Sequence, residues 1–445
     1  MASFKLTKLE RNWIFYDVGN SAFTLLITTI MPIYFNSLAE SAGLSSVDYL
    51  AYWGYAASIV TLVVAFMGPT FGTLADTRGF KRPIFLLFLV IGLAGCVLLG
   101  ASSNWLIFLV IFVVAKIGYQ ASLIFYDSML SDVTTHERMD MVSSCGYAWG
   151  YIGSCAPFIL SLALVLGGGA VGISMTLAMQ LAFCITAAWW LIFTLPLLKS
   201  YEQKHYVERP KHAVRESFAR LGRTFKNVKA EKKVFFFLLA FFFYIDGVYT
   251  IIDMATAYGT ALGLDTTGLL LALLVTQIVA FPFAILFGRL AARYATAKLI
   301  TICILAYFGI AVFAIFLEHQ WQFWLLAVMV GMFQGGIQAL SRSTFGKLIP
   351  DKARSGEFFG FFDIFGKFSS ILGPTLVGVV SAFAASKMMA AQGLTAVTAT
   401  AEQVDAINKA AGPYGILSII LIIIVGAVLY FGVLPKTMTN DERKI

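Results

Sequence analysis

Seven charged side chains stand inside stretches that are otherwise apolar: Asp17, Lys116, Asp127, Asp246, Asp253, Asp363 and Lys367. A charge at the centre of a bilayer costs at least about 2.5–3.5 kcal/mol, so such groups turn toward a cavity or toward one another and mark solute or proton paths. Counting about 1.5 Å per residue from the expected helix ends puts Lys116, Asp246 and Lys367 near the midplane. Asp17, Asp127 and Asp363 fall toward one face and Asp253 toward the other. Two lysines can hold a carboxylate or phosphate, and a buried aspartate can receive an ammonium group or a proton. Substrate binding is therefore expected at Lys116, Gln120, Asp246, Gln334, Gln338 and Lys367. Proton coupling or gating is expected at Asp17, Asp127, Asp253 and Asp363.

Helical geometry relates these residues. Lys116, Gln120 and Asp127 share one face of a helix, because four and eleven residues both return close to the starting angle. Asp363 and Lys367 are four apart and can pair. Asp246 and Asp253 share a face, as do Gln334 and Gln338. Asn20, Thr24 and Thr28 form a polar stripe.

The elements that position them are membrane helices. Hydrophobic residues make up 59% of the 445 positions and charged ones 13%, too little polar surface for a water-soluble protein of this size. A span needs roughly 20 mostly apolar residues, and twelve such stretches are expected, at 12–37, 50–75, 83–102, 105–131, 140–166, 171–198, 233–262, 267–292, 298–317, 321–348, 356–384 and 413–434. The fold class is thus an all-α integral membrane protein of twelve transmembrane helices in two pseudo-symmetric six-helix bundles. The domains are expected at 1–198, 199–232 as a basic connector, and 233–445.

Most of the 32 Lys and Arg fall in loops on one side, which the positive-inside rule makes cytoplasmic, with both termini there. The net charge of +8 then reports topology and attraction to anionic lipid, and nucleic-acid binding is not expected. Lys5 to Arg11 runs straight into the first helix without a small-residue cleavage site, so no cleavable signal is expected. Cys96, Cys145, Cys155, Cys184 and Cys303 lie in apolar segments without metal-ligand spacing and read as small core hydrophobes; no metal, disulfide or cofactor is expected. In the connector, Val214, Phe218, Leu221, Phe225 and Val228 recur at helical spacing with basic residues between, the pattern of a helix lying on the membrane surface. The stretch 385–412 is polar and weakly patterned.

An internal repeat supports two halves. Gly72-Thr-Leu-Ala75 recurs as Gly288-Arg-Leu-Ala291, Gly118-Tyr-Gln-Ala121 as Gly336-Ile-Gln-Ala339, and Pro157 as Pro374, at offsets of 216, 218 and 217 residues.

The run Gly72-Thr-Leu-Ala-Asp76-Thr-Arg78-Gly79-Phe-Lys81-Arg82 resembles the loop signature of the major facilitator superfamily. Gly72, Asp76, Arg78, Gly79, Lys81 and Arg82 would form a cytoplasmic gate, with Gly72 permitting close helix approach. In the second half Ala292 stands opposite Asp76, which makes the gate asymmetric. More specific are Tyr16-Asp17-Val-Gly-Asn20, Ser143-Ser-Cys-Gly146 through Gly150 and Gly153, Gln334 through Gln338 to Ser341-Arg342-Ser343, and Glu357-Phe-Phe-Gly360 with Gly366-Lys367 and Gly373-Pro374. Together they resemble the vacuole-effluxer, autophagy-related branch of that superfamily, over essentially the whole chain.

The resemblance implies a non-enzymatic exporter of small solutes, with amino acids or related zwitterions and organic anions the favoured class, moved by alternating access. It also implies that helices one, four, seven and ten line the cavity, and a monomer in a bacterial inner membrane. Protons and membrane lipid are the expected further partners. A lipid or lysolipid transporter of the same fold is the alternative. An intramembrane enzyme is disfavoured because His136, His205, His212 and His319 all sit in loops.

Overall fold

The computed structural model describes residues 4–44, 46–208, 231–394 and 399–437. The helix expected over 214–228 lies outside them. Among the described residues, twelve helices are long and apolar enough to cross a membrane: Lys8–Ser41, Tyr52–Ala75, Lys81–Ala101, Trp105–Val133, Met139–Val171, Met175–Ser200, Lys232–Ala255, Thr267–Ala291, Thr296–Ile315, Gln320–Leu348, Lys352–Ala391 and Glu402–Thr437. They are called the first to twelfth helices below. Large apolar side chains such as Val110, Leu166, Leu421 and Val428 are exposed, which suits a protein whose solvent is hydrocarbon.

The chain divides into two compact units, Met1–Ala230 with Arg342–Ile364, and Glu231–Ser341 with Phe365–Ile445. The stretch Arg342–Ile364, assigned by the two-half reading to the second bundle, thus packs within the first unit. In that unit the first helix lies against the fifth and sixth, the third against the fourth and sixth, and the second against the fourth. In the second unit the seventh and ninth helices both pack on the twelfth. The pairings one–six and three–six therefore recur as seven–twelve and nine–twelve, as the sequence repeat requires.

Two local features depart from plain spans. The first helix is interrupted at Thr29 (φ −125°, ψ −68°). Pro32 has no N–H for the carbonyl of Thr28, and the hydroxyls of Thr28 and Thr29 turn back onto the carbonyl of Leu25, the side-chain competition that bends helices.

The stretch 385–412, read as polar and weakly patterned between spans expected to end at 384 and start at 413, is largely helical over its described residues. The eleventh helix continues to Ala391 and the twelfth starts at Ala401, behind a capping box in which Thr400 and Gln403 bond each other's backbone. Ala385, Ile407 and Ala411 make a small buried cluster with Met388, Met389 and Leu394 against it. Alanine's high helix propensity supplies what the weak pattern concealed.

Candidate functional site

The densest chemistry lies in the first unit, around Arg342. This residue ends no helix: it sits six positions before Leu348, where the tenth helix stops, and its side chain is 3% exposed. Its Nη2 lies 3.3 Å from Asp17 Oδ2 and donates to the Ser143 carbonyl at 3.1 Å. Nη1 donates to Asp127 Oδ1 at 3.0 Å and Nε to Ser143 Oγ at 2.9 Å. The guanidinium plane is enclosed by rings, 4.8 Å from Trp13, 4.3 Å from Tyr147 and 5.6 Å from Tyr126. A buried cation needs both its charge balanced and its donors used, and this cage supplies both.

The two carboxylates are held unequally. Asp17 accepts from Tyr126 Oη at 2.7 Å and from Arg342, with Asn20 Nδ2 at 3.5 Å. Among the described residues Asp127 accepts from Arg342 Nη1 alone, and its side chain is 21% exposed. Gly146 makes room for the group, since a Cβ there would stand 3.0 Å from Arg342 Nη2 and 3.1 Å from the Trp13 ring.

A second cluster is built on the Gly72–Arg82 run. Asp76, fully buried, accepts the backbone N–H groups of Gly356 (2.7 Å) and Glu357 (2.9 Å), the first turn of the helix that starts at Ser355. A helix start offers unpaired donors and a positive dipole end to such a carboxylate. The Gly72 backbone lies against Gly356. Lys81, also fully buried, lies 3.7 Å from Asp76 and 3.6 Å from Asp132 and donates to Ser355 Oγ at 2.9 Å. Burial pushes the Asp76 carboxyl up to about 7, against the downward pull of Lys81 and the two amides.

The segment after the sixth helix is tied to this loop. Val207 N–H donates to the Asp76 carbonyl (2.8 Å), Arg78 N–H to the Val207 carbonyl (3.0 Å), and Gly79 N–H to Gln203 Oε1 (3.0 Å). Tyr201 Oη (2.6 Å) and the His205 backbone N–H (2.9 Å) both donate to Asp132, whose Oδ1 lies 2.9 Å from His205 Nδ1. Gly79 takes a φ of 78° to turn the loop. Arg78 pairs with exposed Glu208 at 3.6 Å, and Arg82 is exposed. Nearby, Asp140 holds Lys347 at 2.5 Å and accepts from Ser343 Oγ at 2.6 Å.

In the second unit Asp246 is fully buried. Its Oδ1 accepts from Gly373 N–H (2.9 Å) and Thr250 Oγ1 (3.3 Å), while Oδ2 has no hydrogen-bond partner among the described residues. Gln334 is buried with Oε1 likewise without one. Gln338 and Lys367 are half-buried and Asp253 is exposed. In the first unit Lys116 is half-buried with its ammonium 5.4 Å from the Phe112 ring. Gln120 and Asp363 are half-buried there too. The structure thus brings together Asp17 and Asp127, and separately Asp76 and Lys81. Lys116 and Gln120 belong to one unit and Asp246, Gln334, Gln338 and Lys367 to the other. Cys184 is exposed, unlike the four other cysteines.

Sequence reasoning missed Arg342, although it quoted the run containing it, and missed Asp132, Asp140 and Lys347. Its depth was a signal, though its partners were not: Arg342 lies six residues inside its expected helix end, about 9 Å at 1.5 Å per residue, close to the depth of Asp17 in its own.

Solved structures of the same architecture show the fold. The chain matches the human organic anion transporter MFSD10 (TETRAN) with a TM-score of 0.65 at 11% identity, covering 95% of this chain and 98% of that one. It matches a bacterial homolog of the human lysosomal transporter Spinster with a TM-score of 0.58 at 17% identity, covering 97% and 96%. The fold is that of the major facilitator superfamily of membrane transporters. The model of the family described as vacuole effluxer Atg22 like matches residues 7–137 and 131–397, and the chain belongs to that family. The uncharacterized MFS-type transporter YxiO of Bacillus subtilis (strain 168) is 45% identical over 382 residues, 85% of this chain and 89% of that one. Autophagy-related protein 22 of Saccharomyces cerevisiae (strain ATCC 204508 / S288c) is 26% identical over 421 residues, 84% and 75% of the two chains.

Proposed function

We propose that this transporter exports a small polar solute, an amino acid or related zwitterion or organic anion, across a bacterial inner membrane by alternating access. The observation that carries this reading is Asp246: a fully buried carboxylate with one oxygen held by Gly373 N–H and Thr250 and the other without a partner. A buried carboxylate oxygen left unmatched is costly, and folding alone has no need of it. An ammonium group of the solute supplies what it lacks. Within the same unit Lys367 offers the charge for a carboxylate, and Gln334 and Gln338 the hydrogen bonds. Both termini lie in the cytoplasm, the working unit is a monomer, and the Gly72–Arg82 run gates the cytoplasmic side. The effluxer family supports the direction, and the buried carboxylate supports a zwitterion over a simple anion.

Thermal stabilisation of the purified protein by amino acids, small peptides, organic anions and phospholipid headgroups tests this. A solute at 100 times its Kd adds about 2.7 kcal/mol. Amino acids should stabilise the parent and fail on folded Asp246→Asn and Lys367→Ala. Stabilisation by lipid headgroups alone, equal in parent and variants, would replace the solute reading by that of a lipid transporter.

A further inference from the structure

The ninth and twelfth helices pack on each other in the second unit and leave a groove of about 460 Å³ between them. Its walls include Leu305 and Phe308 from the ninth helix and Ile424, Val428 and Phe431 from the twelfth, all exposed, together with Gly432. The volume is that of a small-molecule site, yet none of the lining side chains carries a polar atom. Two features set the groove apart from the ordinary roughness of a lipid-facing surface. The twelfth helix opens here into a π-turn over Leu429–Val433, with the Leu434 N–H on the Leu429 carbonyl, and such turns are rare and concentrate at functional sites. Gly432 stands in that turn, and a Cβ built on it would meet nothing within 4 Å, so the groove is open where a side chain could have filled it.

The charge at one end of the groove identifies its occupant. Successive spans alternate in direction, so the ninth helix begins on the side of the membrane where the twelfth ends. Exposed Lys298 precedes Leu305, and exposed Lys436 follows Gly432, about 10 Å and 6 Å along their helices at 1.5 Å per residue. The seventh helix packs on Leu434–Thr437 and begins beside them with exposed Glu231 and Lys232. Basic groups at helix ends over an apolar slot are the pattern that holds an anionic phospholipid by its headgroup.

We propose that this groove binds an acyl chain of an anionic phospholipid whose phosphate reaches Lys298 and Lys436. The site shares no residue with the one around Asp246 and does not depend on the solute reading. Apolar walls without a neighbour forfeit dispersion contacts; a chain laid along the groove regains them, and the lysines select the headgroup. A second copy of the protein seated on the same face would bring its own lysines against these, and like charges oppose such a pairing.

Photolabelling of the purified full-length protein in detergent tests this, with phosphatidylglycerol carrying a diazirine in mid-chain and phosphatidylcholine carrying the same group. Label from phosphatidylglycerol should concentrate on peptides containing 304–308 and 423–432. It should exceed that from phosphatidylcholine at least about fivefold, the attraction of one lysine for an anionic lipid surface. Gly432→Trp should fill the groove and abolish this label, and the milder Gly432→Leu should reduce it. Gly378→Trp on the eleventh helix, also with nothing within 4 Å of its would-be Cβ, should leave the label in place. Lys298→Gln combined with Lys436→Gln should erase the preference for phosphatidylglycerol while the groove stays labelled. Label spread evenly over the lipid-facing helices, or unchanged in both Gly432 variants, would mean boundary lipid only and overturn the site. Equal labelling of the parent by the two lipids would overturn the anionic class. Amine-reactive crosslinks joining two copies through Lys298 or Lys436 would place a second chain in the groove instead.

Discussion

Arg342 on the tenth helix lies 3.3 Å from Asp17 on the first, a pair 325 residues apart in sequence and almost fully buried. Removing one partner of such a pair leaves the other charged, dry and unmatched, which costs about 3–5 kcal/mol. Arg342→Ala should therefore destabilise the purified protein by that amount, and Asp17→Asn should destabilise it as well. The double variant should lose markedly less than the sum, because contacting residues do not add. Denaturant melts of the four proteins measure this, and simple additivity would mean the pair is incidental.

Gly146 tests the packing of the same cage. An added Cβ would press on Arg342 Nη2 and the Trp13 ring, so Gly146→Ala should cost about 1–3 kcal/mol, as overpacking does. Gly378, with nothing within 4 Å of its would-be Cβ, is the control. Gly378→Ala should be neutral or stabilising by up to about 1 kcal/mol, because it removes a helical glycine. Equal melting temperatures for both variants would show that the cage has slack.

Asp76 should imprint a pH dependence on stability. Its folded pKa of about 7 lies above the ordinary 3.8, so between those values the folded chain binds a proton that the unfolded chain does not. Stability from this group is therefore greatest below about pH 4, declines as pH rises toward 7, and is level beyond. In melts across that range Asp76→Asn should flatten the decline. A profile parallel to the parent's would show that Asp76 stays ionised throughout.

How much of this was legible in the chain differs by element. The twelve helices follow from hydropathy, because a bilayer imposes length and apolarity on every span, and the repeat of Gly72, Gly118 and Pro157 in the second half marked the related pairings. The ion pairs were not legible. Arg342 and Lys347 sit close enough to a helix end to be read as ordinary positive-side residues, and their partners Asp17, Asp127 and Asp140 stand some 200 to 325 residues away, where no periodicity reaches. Lys81 was grouped with Arg78 and Arg82 by sequence alone, yet it is fully buried between Asp76 and Asp132 while Arg82 is exposed. Burial depends on what the helix packs against, which the local run does not encode. The helical turns within 385–412 escaped because alanine carries high propensity but no contrast between faces.

The most direct test of the solute reading is efflux of a labelled amino-acid mixture from proteoliposomes containing the full chain, beside Asp246→Asn and Lys367→Ala variants that melt like the parent. We expect loss of label well above protein-free vesicles for the parent and a fall of at least about tenfold for either variant, the factor given by about 1.4 kcal/mol of lost binding. Label retained as in empty vesicles, or variants that release it at the parent's rate, would contradict a zwitterion site built on Asp246 and Lys367.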